Sequence, residues 1–131
     1  MGVSLAYSFF YKYYMRIKEI LTESEHNFTT AYHITPEWAA DSIMRDGLLT
    51  GEEGRIWVVV DTGDKKKLID DLSIVYNWML AKTDETQDPL TMLKVDIKGI
   101  PLEKYLGWYT TTQDIPANRI TNLGDEPLMG L

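Results

Sequence analysis

The chain contains no cysteine. This absence excludes disulfide bonds, catalysis by a thiolate, and zinc or iron–sulfur sites held by cysteine ligands. A chain without disulfides is compatible with a reducing compartment, and we therefore expect a cytoplasmic location.

Positive charge is also scarce, because 13 lysines and arginines stand against 20 aspartates and glutamates, giving a net charge of −7. Affinity for nucleic acid comes largely from cations that neutralise phosphates, so we expect no extended nucleic-acid surface. No apolar run reaches the roughly 20 residues that cross a bilayer. In residues 1–21 the charges follow the apolar part, which is the reverse of a secretory signal. No membrane partner is expected.

A chain of 131 residues with 44% hydrophobic and 25% charged residues has the size and composition of one globular domain. Hydrophobic periodicity and turn residues predict helices over 3–23, 36–46 and 64–82, and strands over 28–34, 55–60, 90–97, 105–112 and 118–123. Helices and strands in this order are typical of an α+β fold. No composition shift divides the chain, so we expect a single domain over 1–131 with its core in 28–123.

Local signals define the ends of two helices. Thr35 suits an N-cap, Pro36 suits a first helical position, and Gly47 suits the residue that ends the helix. The residues of this helix expected to face a core are Trp38, Ala39, Ile43 and Met44. Asp64 can cap the longer helix, whose apolar residues recur at helical spacing at Leu68, Leu72, Val75 and Met79.

Residues 3–23 combine helical periodicity with many aromatic side chains. Their apolar stripe consists of Phe10, Tyr14, Ile17 and Leu21. The pattern leaves open packing on the domain, a surface for homo-oligomers or a protein partner, and a membrane-surface helix, of which the first two are favoured.

Two motifs suggest catalysis, but each is better interpreted as an ordinary structural feature. The segment "VVVDTGD" (58–64) has the Asp-Thr-Gly of retroviral aspartic proteases, but those are nearly all-β proteins and here a long amphipathic helix follows. The sequence is therefore interpreted as a strand-to-helix turn. His26 and His33 are separated by part of a predicted strand, and no H-E-x-x-H pattern occurs. We expect no metal site.

Four pieces of the sequence form a larger pattern. They are "YHITPEWAADSIMRDGLL" (32–49), "RIWVVV" (55–60) with the helix after it, "LKVDI" (93–97) and "WYTTTQDIPANRI" (108–120). Their order and spacing resemble the ADP-ribosyltransferase superfamily, and in particular a small bacterial and phage branch that is similar to RNA 2′-phosphotransferases. The resemblance covers residues 31–123. It implies a split mixed or antiparallel sheet with flanking helices, to which the N-terminal helix would be an addition.

The resemblance implies that NAD or a related ADP-ribose nucleotide is the ligand. In this superfamily the first-strand His and the Ser or Thr after it bind the adenosine side of NAD, which places His33 and Thr35 in the site with their neighbours Tyr32 and Ile34. A neutral imidazole can exchange hydrogen bonds with a ribose hydroxyl, and the Thr hydroxyl can fix its tautomer. Taken alone, however, His33 is better explained as a buried histidine bonded to a backbone carbonyl.

Other site residues follow from the same resemblance. The aromatic residue near the nicotinamide would be Trp57 or Tyr76, and the sequence does not decide between them; Tyr109 is a further aromatic candidate. The 2′-phosphotransferases hold phosphate with arginines, and Arg55 and Arg119 could serve in that way.

The chain departs from the superfamily at a Glu that many transferases place before the "IP" turn. Counting back from Ile115, that position falls on Trp108 or Tyr109, and neither is a carboxylate. Glu103 and Asp114 are the nearest acids, so Glu103, Asp114 and Tyr109 are the weak catalytic candidates.

Two functions therefore remain open. The chain could be an NAD-dependent enzyme that transfers ADP-ribose to a macromolecule, or a nucleotide-binding or protein-interaction module of the same fold without turnover. The missing Glu favours the second. The expected partners are a nucleotide ligand and a protein acceptor or binding partner.

Overall fold

The computed structural model describes residues 26–83 and 89–124. The helix predicted over residues 3–23, with its aromatic stripe, lies outside the described residues, as does most of the loop predicted at 84–89. The predicted core, 28–123, lies almost wholly within them.

The described residues contain both helices and strands, which confirms the predicted α+β class. The elements are β1 (Thr30–Pro36), α1 (Glu37–Asp46), β2 (Ile56–Val60), α2 (Lys65–Thr83), β3 (Leu90–Asp96), β4 (Glu103–Tyr105), β5 (Trp108–Thr111) and β6 (Ile120–Asn122). A short 3-10 helix, Ala117–Arg119, precedes β6.

The six strands form one sheet in the order β4-β5-β2-β1-β3-β6, and every neighbouring pair is antiparallel. The helices cover opposite faces of this sheet. Ala31 of β1 shares a core cluster with Ala40 of α1, whereas Tyr32 of β1 shares a second cluster with Leu72 of α2. Because side chains alternate along a strand, odd-numbered residues of β1 face α1 and even-numbered residues face α2.

The start of α1 differs from the sequence prediction. Thr35 is not an N-cap, because it lies within β1, where it is paired with β3 and buried. Pro36 is also in the strand, and the helix begins at Glu37. The N–H of Glu37 donates to the carbonyl of Pro89 at 2.8 Å. Pairing with β3 thus continues two residues beyond the predicted strand and takes the place of a local side-chain cap.

The buried face of α1 also differs from the prediction. Trp38 is 69% exposed, whereas Ala40 is buried and Ile43 and Met44 pack against the core. Residues 40, 43 and 44 share one face of a helix with 3.6 residues per turn, and Trp38 lies on the opposite side. The apolar character of Trp38 suggested burial that the phase of the helix does not allow.

Helix α2 matches its prediction closely. Asp64 caps it, since its Oδ1 accepts a hydrogen bond from the N–H of Lys67 at 3.1 Å. The predicted stripe faces the sheet: Leu68 and Leu72 are buried, and Val75 and Met79 pack beside them. The apolar spacing alone therefore identified the inner face of α2.

The strand predicted over 105–112 is right only in part: residues 108–111 form β5, but the chain turns back at 106–107. Tyr105 pairs with Trp108, so β4 and β5 form a hairpin whose loop is Leu106 and Gly107. Both loop residues have positive φ, 54° and 85°, as in a type I′ turn. That turn favours Asn or Asp followed by Gly. Because residue 106 is a leucine, the sequence did not predict the turn.

Gly47 ends α1 as predicted, and the structure shows why no other residue fits. Its N–H donates to the Ile43 carbonyl at 2.7 Å and its φ is +90°. A Cβ built on Gly47 would lie 2.3 Å from the carbonyl oxygen of Ile115. The next residue, Leu48, exchanges backbone hydrogen bonds with Ile115 in both directions at 2.9 Å. Residue 47 can therefore approach Ile115 this closely only if it is a glycine.

Gly47→Ala should lower the free energy of unfolding by about 2–4 kcal/mol, because the substitution combines an unfavourable φ with a backbone clash. Gly51→Ala is the matched control, since Gly51 also has positive φ, +58°, but nothing within 4 Å of the added Cβ; we expect a cost of about 1 kcal/mol there. Urea unfolding of both variants measures the difference. Equal costs would show that the contact with Ile115 is unimportant.

Leu106→Asn should raise the free energy of unfolding by about 0.5–1 kcal/mol, because Asn tolerates the left-handed conformation better than Leu. The Leu106 side chain is 79% exposed, so little packing is lost. Leu123→Asn, at another exposed leucine with ordinary φ, should not stabilise. Thermal unfolding distinguishes the two variants, and a destabilised Leu106→Asn would contradict the assignment.

Candidate functional site

The candidate site lies where β1 and β2 stop pairing. These strands are joined only at Ala31 with Val60 and Tyr32 with Val59. Beyond that point β1 continues along β3, while the first part of β2 pairs with β5 on its other side. The sheet therefore forks, and His33 is the first residue of β1 inside the fork.

His33 bridges the fork with its side chain. Its Nδ1 lies 2.9 Å from the carbonyl oxygen of Trp57. A carbonyl only accepts, so Nδ1 carries the proton and Nε2 of the neutral ring is an acceptor. We expected the Thr35 hydroxyl to fix this tautomer, but a backbone carbonyl of β2 does so.

The two histidines of the chain differ in how completely they are bonded. His26 uses both ring nitrogens: Nε2 donates to the Ile100 carbonyl at 2.9 Å and Nδ1 accepts from the Phe28 N–H at 3.0 Å. Nε2 of His33 has no hydrogen-bond partner in the described part of the chain. Every fully buried side-chain nitrogen or oxygen in that part has a partner, so Nε2 is not fully buried. That atom therefore reaches the surface of a cavity. His26 has a structural role, and His33 has a nitrogen available to a ligand.

The environment of His33 keeps its ring neutral. Burial lowers the pKa of His33 below its usual 6.5, and the hydrogen bond to Trp57 only partly opposes this. At neutral pH the ring therefore presents an uncharged acceptor.

A cavity of about 590 Å³, broadly open to solvent, lies beside His33. Ligand sites commonly enclose roughly 300–1,000 Å³. Its lining comes from His33, Ser42, Ile43, Asp46, Gly47, Leu48, Leu49, Thr50, Gly51, Glu52, Glu53, Arg55, Ile56 and Trp57. The rim is formed by the exposed members Ser42, Asp46, Leu49, Gly51, Glu52 and Glu53. The segment between α1 and β2 thus supplies most of the wall.

This wall is fixed by the segment before β6. Leu48 pairs with Ile115, and the N–H of Thr50 donates to Oδ1 of Asp114 at 2.8 Å. Asp114, a weak catalytic candidate from the sequence, therefore anchors the cavity wall. Residues 114–116 therefore lie beside residues 47–49, although Thr50 and Asp114 are 64 residues apart in the chain.

Arg55 connects the cavity to the β4–β5 hairpin. Its Nη1 donates to Oε1 of Glu103 at 3.0 Å and to the Thr110 hydroxyl at 3.4 Å. Its guanidinium lies 4.1 Å from the centre of the Tyr105 ring, against which Trp57 packs edge-on. Glu103, another catalytic candidate, is buried in this contact. The charge of Arg55 is thus matched within the protein.

Several predicted site residues do not share the cavity. Tyr32 and Ile34 are buried on the face of the sheet that α2 covers, and Tyr76 of α2 packs there too. Burial and nearby Asp61 raise the pKa of Tyr32. Of the two aromatic alternatives, only Trp57 lines the cavity. Because side chains alternate along a strand, Tyr32 and Ile34 lie on the opposite face of the sheet from His33, and Tyr76 packs on that opposite face.

The remaining candidates have structural contacts. Tyr109 packs edge-on against Phe28, with ring centres 5.9 Å apart. Arg119 donates to the Lys98 carbonyl at 2.7 Å, at the end of β3. Neither lines the cavity. Residues 48–53 were not predicted to belong to a site, because the composition of "TGEEG" indicates only a turn.

No family model and no curated protein matches this chain. Across residues 26–83 and 89–124, no three histidine, aspartate or glutamate side chains are grouped as metal ligands. Neither described helix has the length and apolar character needed to cross a bilayer.

The free energy of unfolding should fall as the pH drops below about 6.5, the usual pKa of histidine. The unfolded chain then binds a proton that folded His33 resists until a lower pH, with a slope of at most about 1.4 kcal/mol per pH unit. His33→Gln should remove this part of the pH dependence, and His26→Gln should retain it. Urea unfolding between pH 5 and 7.5 tests this; the same slope in wild type and His33→Gln would contradict it.

Proposed function

We propose that this chain binds NAD or a related ADP-ribose nucleotide in the cavity beside His33. The observation that carries the proposal is the half-bonded state of His33: Nδ1 is held by the Trp57 carbonyl at 2.9 Å and Nε2 is left as an acceptor among the cavity-lining residues. The order of the four sequence pieces that resemble ADP-ribosyltransferases supports the identity of the ligand.

The chemistry of the site suits a ribose. Nε2 of the neutral ring accepts a hydrogen bond from a hydroxyl, and the fixed Nδ1 contact prevents the ring from turning away. Carboxylates at the rim accept hydrogen bonds from further hydroxyls. Leu48, Leu49 and Ile56 provide apolar surface on which a flat ring can pack.

Binding without turnover is the form of this function that the geometry supports best. Transfer of ADP-ribose requires a carboxylate free to stabilise a cationic transition state. Glu103 is paired with Arg55 and Asp114 holds the Thr50 amide, while Glu52 and Glu53 are exposed at the rim, where water weakens their effect on a cation. Transfer is the second candidate, because Glu103 lies 3.0 Å from Arg55, a cavity-lining residue, and so stands close to the proposed ligand.

The first experiment is calorimetric titration of the full chain with NAD⁺, ADP-ribose and ADP, accompanied by thermal unfolding in each ligand. A ligand that binds only the folded state raises the melting temperature by mass action. Release of nicotinamide from NAD⁺ then separates turnover from binding. A chain that binds none of the three ligands would refute the proposal.

His33→Ala should weaken nucleotide affinity roughly 5- to 150-fold, corresponding to the loss of about 1–3 kcal/mol for one hydrogen bond to a ligand. The fold should persist, because the β1–β3 pairing around residue 33 involves backbone groups, although the melting temperature should fall somewhat because the Trp57 carbonyl loses its partner.

His26→Ala is the matched control, since it removes a histidine bonded only within the protein. It should lower the melting temperature without a specific effect on affinity. If His33→Ala is destabilised like His26→Ala and binds nucleotide as tightly as wild type, His33 is structural and the proposed site is wrong.

A further inference from the structure

Helix α2 has a second apolar surface beside the stripe that faces the sheet. Ile74 and Trp78 are each 56% exposed, and because they are four residues apart they are neighbours on one side of the helix. Lys67 and Asp71 continue the same line toward the start of α2, where they line a small cavity with Trp108 of β5. These four residues of α2, its outer stripe, therefore lie on the side of the helix that faces β5.

The first turn of α2 carries an unfavourable concentration of positive charge. Lys65, Lys66 and Lys67 begin the helix after its cap Asp64, and the turn itself contains no acidic residue. Cations are unfavourable at this position because the N-terminus of a helix has a partial positive charge. Lys67 is paired with Asp71 at 2.9 Å, whereas Lys65 and Lys66 are exposed and have no ion pair among the described residues. An acidic segment beside this turn would offset the cost.

Residues 1–25, which precede the described part of the chain, have the composition that this surface requires. The helix predicted over 3–23 carries the aromatic stripe Phe10, Tyr14, Ile17 and Leu21. Acidic residues are concentrated at its end, at Glu19, Glu23 and Glu25. With a rise of 1.5 Å per residue, the predicted helix would be about 32 Å long and the 19 residues of α2 about 29 Å. The segment thus matches α2 in length and complements its charges.

The described chain meets this segment at the end of the sheet where α2 begins. The carbonyl of Thr30, the first residue of β1, accepts a hydrogen bond from the N–H of Asp61 at 2.9 Å, and α2 starts four residues after Asp61. His26 precedes Thr30 by four residues, which span at most about 14 Å, and is fixed by its bond to the Ile100 carbonyl at 2.9 Å. A helix that ends here and lies along α2 must run antiparallel to it.

An antiparallel arrangement brings complementary groups together. When Glu23 is aligned with the first residue of α2, Tyr14 lies opposite Ile74 and Phe10 opposite Trp78, because both helices have the same rise per residue. The acidic end of the segment then lies beside the lysines of the first turn. A parallel arrangement would instead place the acidic end beside Trp78 and leave the lysines unmatched.

We propose that residues 3–23 form a helix that docks antiparallel along the outer stripe of α2, with their aromatic stripe on Ile74 and Trp78 and their acidic end beside the lysines of the first turn. The occupant of this surface is thus a segment of the same chain. The docking does not depend on nucleotide binding, because α2 covers the face of the sheet opposite to α1, and the loop after α1 lines the cavity.

The absence of cysteine allows the docking to be measured in the full chain by introducing pairs of thiols. Tyr14→Cys/Ile74→Cys and Phe10→Cys/Trp78→Cys each place two thiols on the proposed contact. Tyr14→Cys/Asp41→Cys is the matched control, because Asp41 is exposed on α1, which covers the other face of the sheet. A disulfide needs Cα atoms within about 7 Å, so mild oxidation of dilute protein should close an intramolecular disulfide roughly tenfold faster in the contact pairs than in the control.

A second experiment tests the charges through thermal unfolding at low salt. In a Glu19→Gln/Glu23→Gln background, Lys65→Gln/Lys66→Gln should raise the melting temperature, because it removes cations from a helix N-terminus. In the wild-type background the same lysine substitutions also remove partners of the glutamates, so their effect should be about 2–4 °C less favourable. Added salt should shrink this difference between the two backgrounds.

Three results would overturn the docking. Disulfides that form no faster in the contact pairs than in the control would show that residues 3–23 do not lie on α2. Disulfides that form only between two chains, as resolved by non-reducing electrophoresis and mass spectrometry, would place a second copy on this surface. An equal effect of Lys65→Gln/Lys66→Gln in both backgrounds would show that the glutamates lie elsewhere. Two contact pairs are used so that a result is obtained even if one variant does not fold.

Discussion

The rest of the site depends on the hydrogen bond from His33 to the carbonyl of Trp57. It forms where the β1–β2 ladder ends after two residue pairs. A sheet that forks exposes backbone groups on both inner edges, and an unsatisfied backbone group is costly when it is buried. One imidazole satisfies a carbonyl of β2, joins it to β1 and leaves its second nitrogen available to the cavity.

The opposite wall of the cavity depends on close backbone approach. Gly47 brings the chain against Ile115 at the end of α1, and Leu48 then pairs with it. Asp114 extends this contact by accepting the N–H of Thr50. These contacts join segments far apart in the chain, so the cavity exists only in the folded domain. A fixed wall opposite a fixed imidazole gives a preorganised site, which lowers the entropic cost of binding.

Charge distinguishes this cavity from a phosphate cradle. Its arginine is engaged by Glu103 and stacked on Tyr105, and the unmatched charges at its rim are negative. The overall net charge of −7 disfavours a large polyanionic partner.

The sequence by itself determined the elements whose patterns are local. The stripe of α2 and its Asp64 cap, the buried run of β2 and the glycine that ends α1 follow from periodicity, capping and conformational preference. His33 and Trp57 were also named from the sequence, although the interaction uses the carbonyl of Trp57 and not its ring.

Only the tertiary structure decided the features that depend on distant partners. Pairing with β3 kept Thr35 in a strand, and the phase of α1 turned Trp38 outward. A Leu106–Gly107 turn divided one predicted strand into two, and strand alternation placed Tyr32 and Tyr76 on the face away from His33. Residues 48–53 became a cavity wall through contacts with Asp114 and Ile115. Local propensities are small free-energy differences, and long-range pairing and burial override them where the two conflict.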